Sequence, residues 1–215
     1  MPARRAEHRP STVVLVRHGT TATTGKVLPG RAPGLHLSAR GTEQAHAVAA
    51  QIAALPRPPS AVYASPLERA METAAPIAKA LHLRVRTAPG LLECDFGDWT
   101  GARLSALRRR REWRSVQLTP SIFRFPRGES FGELQARCWD AVVELGARHR
   151  GETIVAVSHA DPIKAIVAAA LGIPLDLFQR TVVSTCSVTV LVVSEGAPIV
   201  LCVNSLGDLA GLAPS

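Results

Sequence analysis

Four side chains that can handle a phosphate group stand at abrupt changes of chemistry along this chain. Arg17, His18 and Gly19 follow the apolar run Val13-Val14-Leu15-Val16. His159 follows a second such run, Thr153-Ile154-Val155-Ala156-Val157-Ser158, and Arg69 closes the stretch Ser65-Pro66-Leu67-Glu68-Arg69. A guanidinium beside an imidazole, with a glycine that lets the backbone pass close to a ligand, suits nucleophilic attack on an anionic centre. The stretch Glu93-Cys94-Asp95-Phe96-Gly97-Asp98-Trp99 adds three acids among apolar and aromatic neighbours. Desolvation in such a setting raises a carboxyl pKa.

These groups need a frame, and the hydrophobic pattern predicts one. Short unbroken runs rich in β-branched residues are strands buried on both faces of a parallel sheet. Ligands of open α/β sheets sit beyond the carboxyl ends of the strands. Arg17, His18 and His159 are therefore expected in one crevice, with Arg69 in the first turn of a helix above it. Ser38 is expected to cap a helix to Leu55 with Ala45, Val48, Ala49 and Ile52 inward. Ala61–Ala64 reads as a strand. Ser65, Pro66 and Glu68 read as a capping box that starts the next helix. Leu83–Arg86 reads as a third strand. A helix over 130–150 presents Phe131, Leu134, Cys138, Ala141, Val142 and Leu145 on one stripe. Asp161 and Pro162 are expected to open a helix that Gly172 stops, and 187–193 with 199–203 to close the sheet as a hairpin. Residues 94–128 read as an insertion lying over the crevice, and 1–10 as a frayed basic tail.

Composition narrows the function classes. With 215 residues and 47% hydrophobic side chains, the chain can bury the core of one α/β domain carrying an insertion. No apolar run reaches membrane-spanning length and none at the start suits a secretory signal, so a cytoplasmic location is expected. Cys94, Cys138, Cys186 and Cys202 lack C-x-x-C spacing, and no two of the seven histidines form an H-x-x-x-H pair. No metal is expected, and the thiols read as small apolar core residues. The segment from Gly19 to Gly25-Lys26 is not a P-loop: it is one residue too long, and Val27 replaces the magnesium-binding hydroxyl. The net charge of +8 concentrates in the first nine residues and in 103–114, where six arginines face Glu112. That stretch could serve an anionic substrate, nucleic acid or solubility alone.

The ordered set Arg17-His18-Gly19, Ser65-Pro66-Leu67-x-Arg69-Ala70-x-x-Thr73-Ala74, Leu92-Glu93-x-Asp95-Phe96-Gly97-x-Trp99-x-Gly101 and Val157-Ser158-His159 resembles the histidine phosphatase superfamily. More narrowly, it is similar to phosphoglycerate-mutase-like phosphatases of bacteria. The resemblance spans about residues 12–204. It implies a three-layer α/β/α fold with a mostly parallel central sheet and a lid over about 94–128. It also implies a metal-independent phosphomonoesterase without cofactor, acting on small phosphorylated metabolites through a phosphohistidine. His18 would be the nucleophile, Glu93 the general acid, and Arg17, Arg69 and His159 the holders of the phosphoryl oxygens. Thr24 and the backbone at Ala160 would complete the phosphate site. Neither nucleic acid nor membrane is an expected partner, whereas a homodimer is common among relatives. Three positions depart from the family pattern: Thr20 where Glu or Gln is common, Thr24 where asparagine is common, and Ala160-Asp161 where glycine is usual. Asp95 rivals Glu93 for the acid role. A phosphomutase is the alternative reading, and a basic binding module without turnover is a third.

Overall fold

The computed structural model describes residues 9–207. One six-stranded sheet organises them: β1 (Ser11–Arg17), β2 (Ala61–Ala64), β3 (Val85–Thr87), β4 (Thr153–Ser158), β5 (Val188–Val193) and β6 (Ile199–Ser205). Their order across the sheet is β3-β2-β4-β1-β5-β6. The pairs β1/β4, β2/β4 and β2/β3 are parallel, while β5 runs antiparallel to both β1 and β6. The mixed sheet is thus mostly parallel, with the expected hairpin at one edge.

Alternation inside the apolar runs builds two cores. Val13 and Leu15 of β1 share one face with Ile154 and Ala156, whereas Val14 and Val16 share the other with Val155 and Val157. The helices α1 (Ala39–Ala53) and α2 (Glu68–Ala80) cover the second face through Val48, Ile52, Ala74 and Ile77. The first face is covered by α5 (Phe131–Arg148) and α6 (Ala160–Leu171), with Leu134, Cys138, Val142, Ile163 and Ile166. Between β3 and α5 lie two short helices, α3 (Leu104–Leu107) and α4 (Arg111–Leu118), among turns. Their apolar side chains join an aromatic cluster in which Phe125 packs edge-on against Phe96, Trp99 and Phe131.

Helix starts agree with expectation in two places and differ in two. Ser38 accepts from the Gly41 amide, and Ser130 with Glu133 forms a full capping box. Ser65 does not cap: α2 begins at Glu68 with Leu67 as its N-cap residue and no side-chain cap. The Ser65 hydroxyl is engaged by His159 instead, at 2.8 Å. Likewise α6 starts at Ala160, so Asp161 and Pro162 lie inside its first turn, while Gly172 ends it at φ 64°. The third strand sits at Val85–Thr87, slightly beyond the segment expected for it. Of the basic tail, residues 1–8 lie outside the described residues, and Arg9 and Pro10 are exposed. All four cysteines are free thiols. Among the described residues no helix is long and apolar enough to cross a membrane.

Candidate active site

The register of the parallel strands brings the distant motifs together. Arg17 pairs with Ser158 across β1/β4, and Ala64 with Val157 across β2/β4. The backbone then continues the ladder one step past the strands: the His18 amide donates to Ser158 O and the Ser65 amide to Val157 O, both at 2.9 Å. His18 and His159 are consequently neighbours, with ring centroids 5.2 Å apart and planes at 60°. Arg69, one residue into α2, is completely buried.

His18 has a defined tautomer. Its Nδ1 lies 2.7 Å from Gly19 O, a carbonyl that can only accept, so Nδ1 carries the proton and Nε2 keeps a lone pair. Burial first, then the Arg69 and Arg17 charges, push its pKa down to about 3. The ring is neutral at ordinary pH, with the Nε2 lone pair available. His159 is fully buried and held well below its ordinary pKa by desolvation, with the positive charge nearby acting in the same direction.

Buried nitrogens without partners mark what this site is built to hold. Among the described residues, Arg17 Nε, Arg69 Nε and Nη1, and His159 Nδ1 are buried with no hydrogen-bond partner, as are only Glu68 Oε2 and Ser187 Oγ. An unpaired buried donor costs about 1–3 kcal/mol, and several on neighbouring groups point to an anion as their common acceptor. One arm of each guanidinium is anchored: Arg17 Nη1 donates to Val183 O and Arg69 Nη2 to Gly30 O. Desolvation lowers both arginine pKa values, which nevertheless stay charged.

A cavity of about 300 Å³ is lined by Arg17, His18, Thr24, Glu93 and Ala160, whereas the fully buried Arg69 and His159 are not part of its lining. Burial raises the Glu93 carboxyl to about 7, the negative charge of Asp161 adds to the rise, and Arg69 opposes it. Its Oε1 accepts from the Cys94 amide at 2.9 Å. Thr24 lines the cavity, but its hydroxyl accepts from the Thr21 amide and bonds the Thr21 hydroxyl. Thr20 turns to Gln44 and Thr185. Asp95 is not in the lining; it accepts from the Gly97 amide and lies 3.9 Å from Arg31.

The segment 94–128 contributes Leu104, Arg108, Trp113, Val116 and Phe125 to the cavity wall. Arg108 is the basic side chain from 103–114 that reaches the cavity, and Arg110 lies over the Trp99 ring. Sequence reasoning passed over Lys164 and Gln179, which also line it and share a 2.9 Å hydrogen bond. The signal was the one-turn spacing of Lys164 from Asp161, whose carboxylate it approaches at 3.5 Å. No group of three or more metal-ligating side chains occurs among the described residues.

Comparison with known proteins gives the family. The sequence pattern of the histidine phosphatase superfamily (branch 1) matches residues 13–206. An uncharacterised protein of Mycobacterium tuberculosis is 42% identical over 156 residues, 70% of this chain and 74% of its own. Phosphoserine phosphatase 1 of Hydrogenobacter thermophilus is 30% identical over 197 residues, 89% of this chain and 91% of its own. Among solved structures, a mycobacterial glucosyl-3-phosphoglycerate phosphatase superposes with a TM-score of 0.81 at 27% identity, covering 92% of this chain and all of that one.

Proposed function

The chain belongs to the histidine phosphatase superfamily and is a phosphatase, and from that premise we propose how its residues hydrolyse small anionic phosphate esters. The carrying observation is the set of partnerless buried nitrogens on Arg17, Arg69 and His159 around the open Nε2 of His18. Arg17 and Arg69 take the equatorial phosphoryl oxygens, where charge resides during transfer. With the Ser65 hydroxyl donating to Nε2, His159 carries its proton on Nδ1 and offers it to the same group.

Nε2 of His18 attacks phosphorus, the ester P–O bond breaks, and the departing oxygen takes the proton of Glu93. Water then attacks the phosphohistidine and gives a proton to the Glu93 carboxylate as the N–P bond breaks. Orthophosphate leaves, and both residues return to their starting forms. A carboxyl near 7 suits both halves, since it can give and regain a proton close to neutrality.

The segment 94–128 acts as the lid of a single domain, and Thr24 and the backbone at Ala160 border the bound phosphate. The enzyme works in the cytoplasm of a bacterial cell on a small phosphorylated metabolite, and its assembly as a homodimer is to be read from sedimentation. Phosphate release from a metabolite panel in excess chelator tests the activity, and His18→Ala is expected to abolish it. Brief mixing of native enzyme with ³²P-labelled ester, quenched in alkali, is expected to leave acid-labile label on the protein. Label retained in His18→Ala, or turnover that needs added metal, would refute the mechanism.

A further inference from the structure

The acid is held by its backbone as well as by its burial. Arg31 Nε donates to the carbonyl of Glu93 at 2.8 Å, and Arg31 Nη2 reaches Glu129 Oε2 at 3.1 Å. Arg137 grips the same carboxylate through Nε at 2.9 Å and Nη2 at 3.0 Å. Its Nη1 donates to the carbonyls of Gly90 and Leu92. Glu129 also exchanges bonds with Asp95: its Oε2 accepts from the Asp95 amide, and its own amide donates to Asp95 O. One largely buried carboxylate between two guanidiniums thus ties down the chain on both sides of Glu93.

The residue before Arg31 belongs to the phosphate side of the site. Gly30 O is the acceptor for Arg69 Nη2 at 2.8 Å. The dipeptide Gly30-Arg31 therefore touches the phosphate-binding guanidinium with one residue and the acid-bearing loop with the next.

We propose that Arg31, braced by Glu129 and Arg137, is a positioning residue that sets the Glu93 carboxyl relative to the phosphoryl group held by Arg69. The proposal rests on the reading of Glu93 as general acid. Proton delivery depends steeply on geometry, so freeing the Glu93 backbone should harm the step in which the leaving oxygen is protonated and spare phosphate binding.

Leaving-group chemistry separates these effects. An alkyl phosphate expels an alkoxide that needs the proton; an aryl phosphate with an electron-withdrawing ring expels a stable phenolate that does not. With kcat/KM as readout, which reports the first irreversible step, Arg31→Gln and Glu129→Gln are each expected to slow the alkyl ester about ten- to a hundredfold. The aryl ester should change little, and the inhibition constant of inorganic phosphate should stay near that of the native enzyme. Glu93→Gln is the reference. If it discriminates between the esters and neither clamp variant does, the clamp is overturned while the acid assignment stands. If Glu93→Gln itself slows both esters equally, the acid assignment fails and takes the clamp with it. Equal loss on both esters accompanied by a fall in melting temperature would show Arg31 and Glu129 to be structural only, and would also overturn the proposal.

Discussion

At the scale of single residues, two perturbed groups fix the pH behaviour. His18 titrates near 3 and Glu93 near 7, so between those values the nucleophile is neutral and the acid holds its proton. For an alkyl ester, kcat/KM is expected to fall above about pH 7, losing tenfold per pH unit, and Glu93→Gln should erase that limb while lowering the plateau about 10²–10⁴-fold; an activated aryl ester, whose leaving group needs no proton, should show little of either effect. A pH profile of both forms checks this; an unchanged alkaline limb in Glu93→Gln would assign it to another group. Stability responds in the opposite sense at the two residues. Glu93 binds its proton more tightly folded than unfolded, so ionising it costs stability as pH rises from its ordinary value through 7. Glu93→Gln should therefore raise the melting temperature at pH 8 more than at pH 4. His18 and His159 bind protons less tightly when folded, and their contribution is lost as pH falls below the ordinary histidine value.

At the scale of elements, the placing of His18 depends on a backbone-to-backbone contact. A Cβ on Gly41, in the first turn of α1, would stand 2.1 Å from the Thr20 carbonyl oxygen, and one on Gly19 would stand 2.5 Å from Gly41 O. Ser38 adds two bonds to the same Thr20 carbonyl. Gly41→Ala gains about 1 kcal/mol of helix propensity. Overpacking against backbone costs about 1–3 kcal/mol and cannot be relieved by a rotamer change, so it wins. A lowered urea midpoint together with lowered kcat is expected, because the displaced segment carries His18; an unchanged midpoint would show that α1 slides at no cost. The same scale explains what could be read in advance. Strands and helix faces follow from periodicity, which is local, so β1, β2, β4 and the inward faces of α1 and α5 were legible. The Ser65 cap was not: its local pattern is genuine, but a histidine 94 residues away competes for the hydroxyl and the helix starts later. Arg17, His18, Arg69 and His159 could be placed together because each ends a strand or opens a helix. Arg31, Glu129 and Arg137 lie in loops or helix interiors with no such punctuation, and only the folded chain brings them to the site.

At the scale of the whole molecule, charge decides what arrives at the cavity. The arginines of 103–114 are all exposed and Arg108 is the one at the cavity wall, while Lys164 is less exposed, with its charge partly offset by Asp161. Once Arg17 and Arg69 hold the phosphoryl group, the outer cavity keeps a positive balance that suits a second anionic group on the substrate. Surface charges act over a Debye length of about 8–10 Å at physiological salt, so the exposed arginines raise the encounter rate and Arg108 at the wall also contributes to binding. For a phosphate ester that carries a carboxylate, kcat/KM should fall steeply between low and high ionic strength, and Arg108→Gln should raise KM severalfold with kcat unchanged, worth about 1 kcal/mol for a partly exposed pair. A neutral aryl phosphate carries only the charge of its phosphoryl group, which Arg17 and Arg69 already meet, so its KM should barely respond to Arg108→Gln. If the two esters respond alike to salt and to the substitution, the basic stretch serves the solubility of the fold and the cavity selects by size alone.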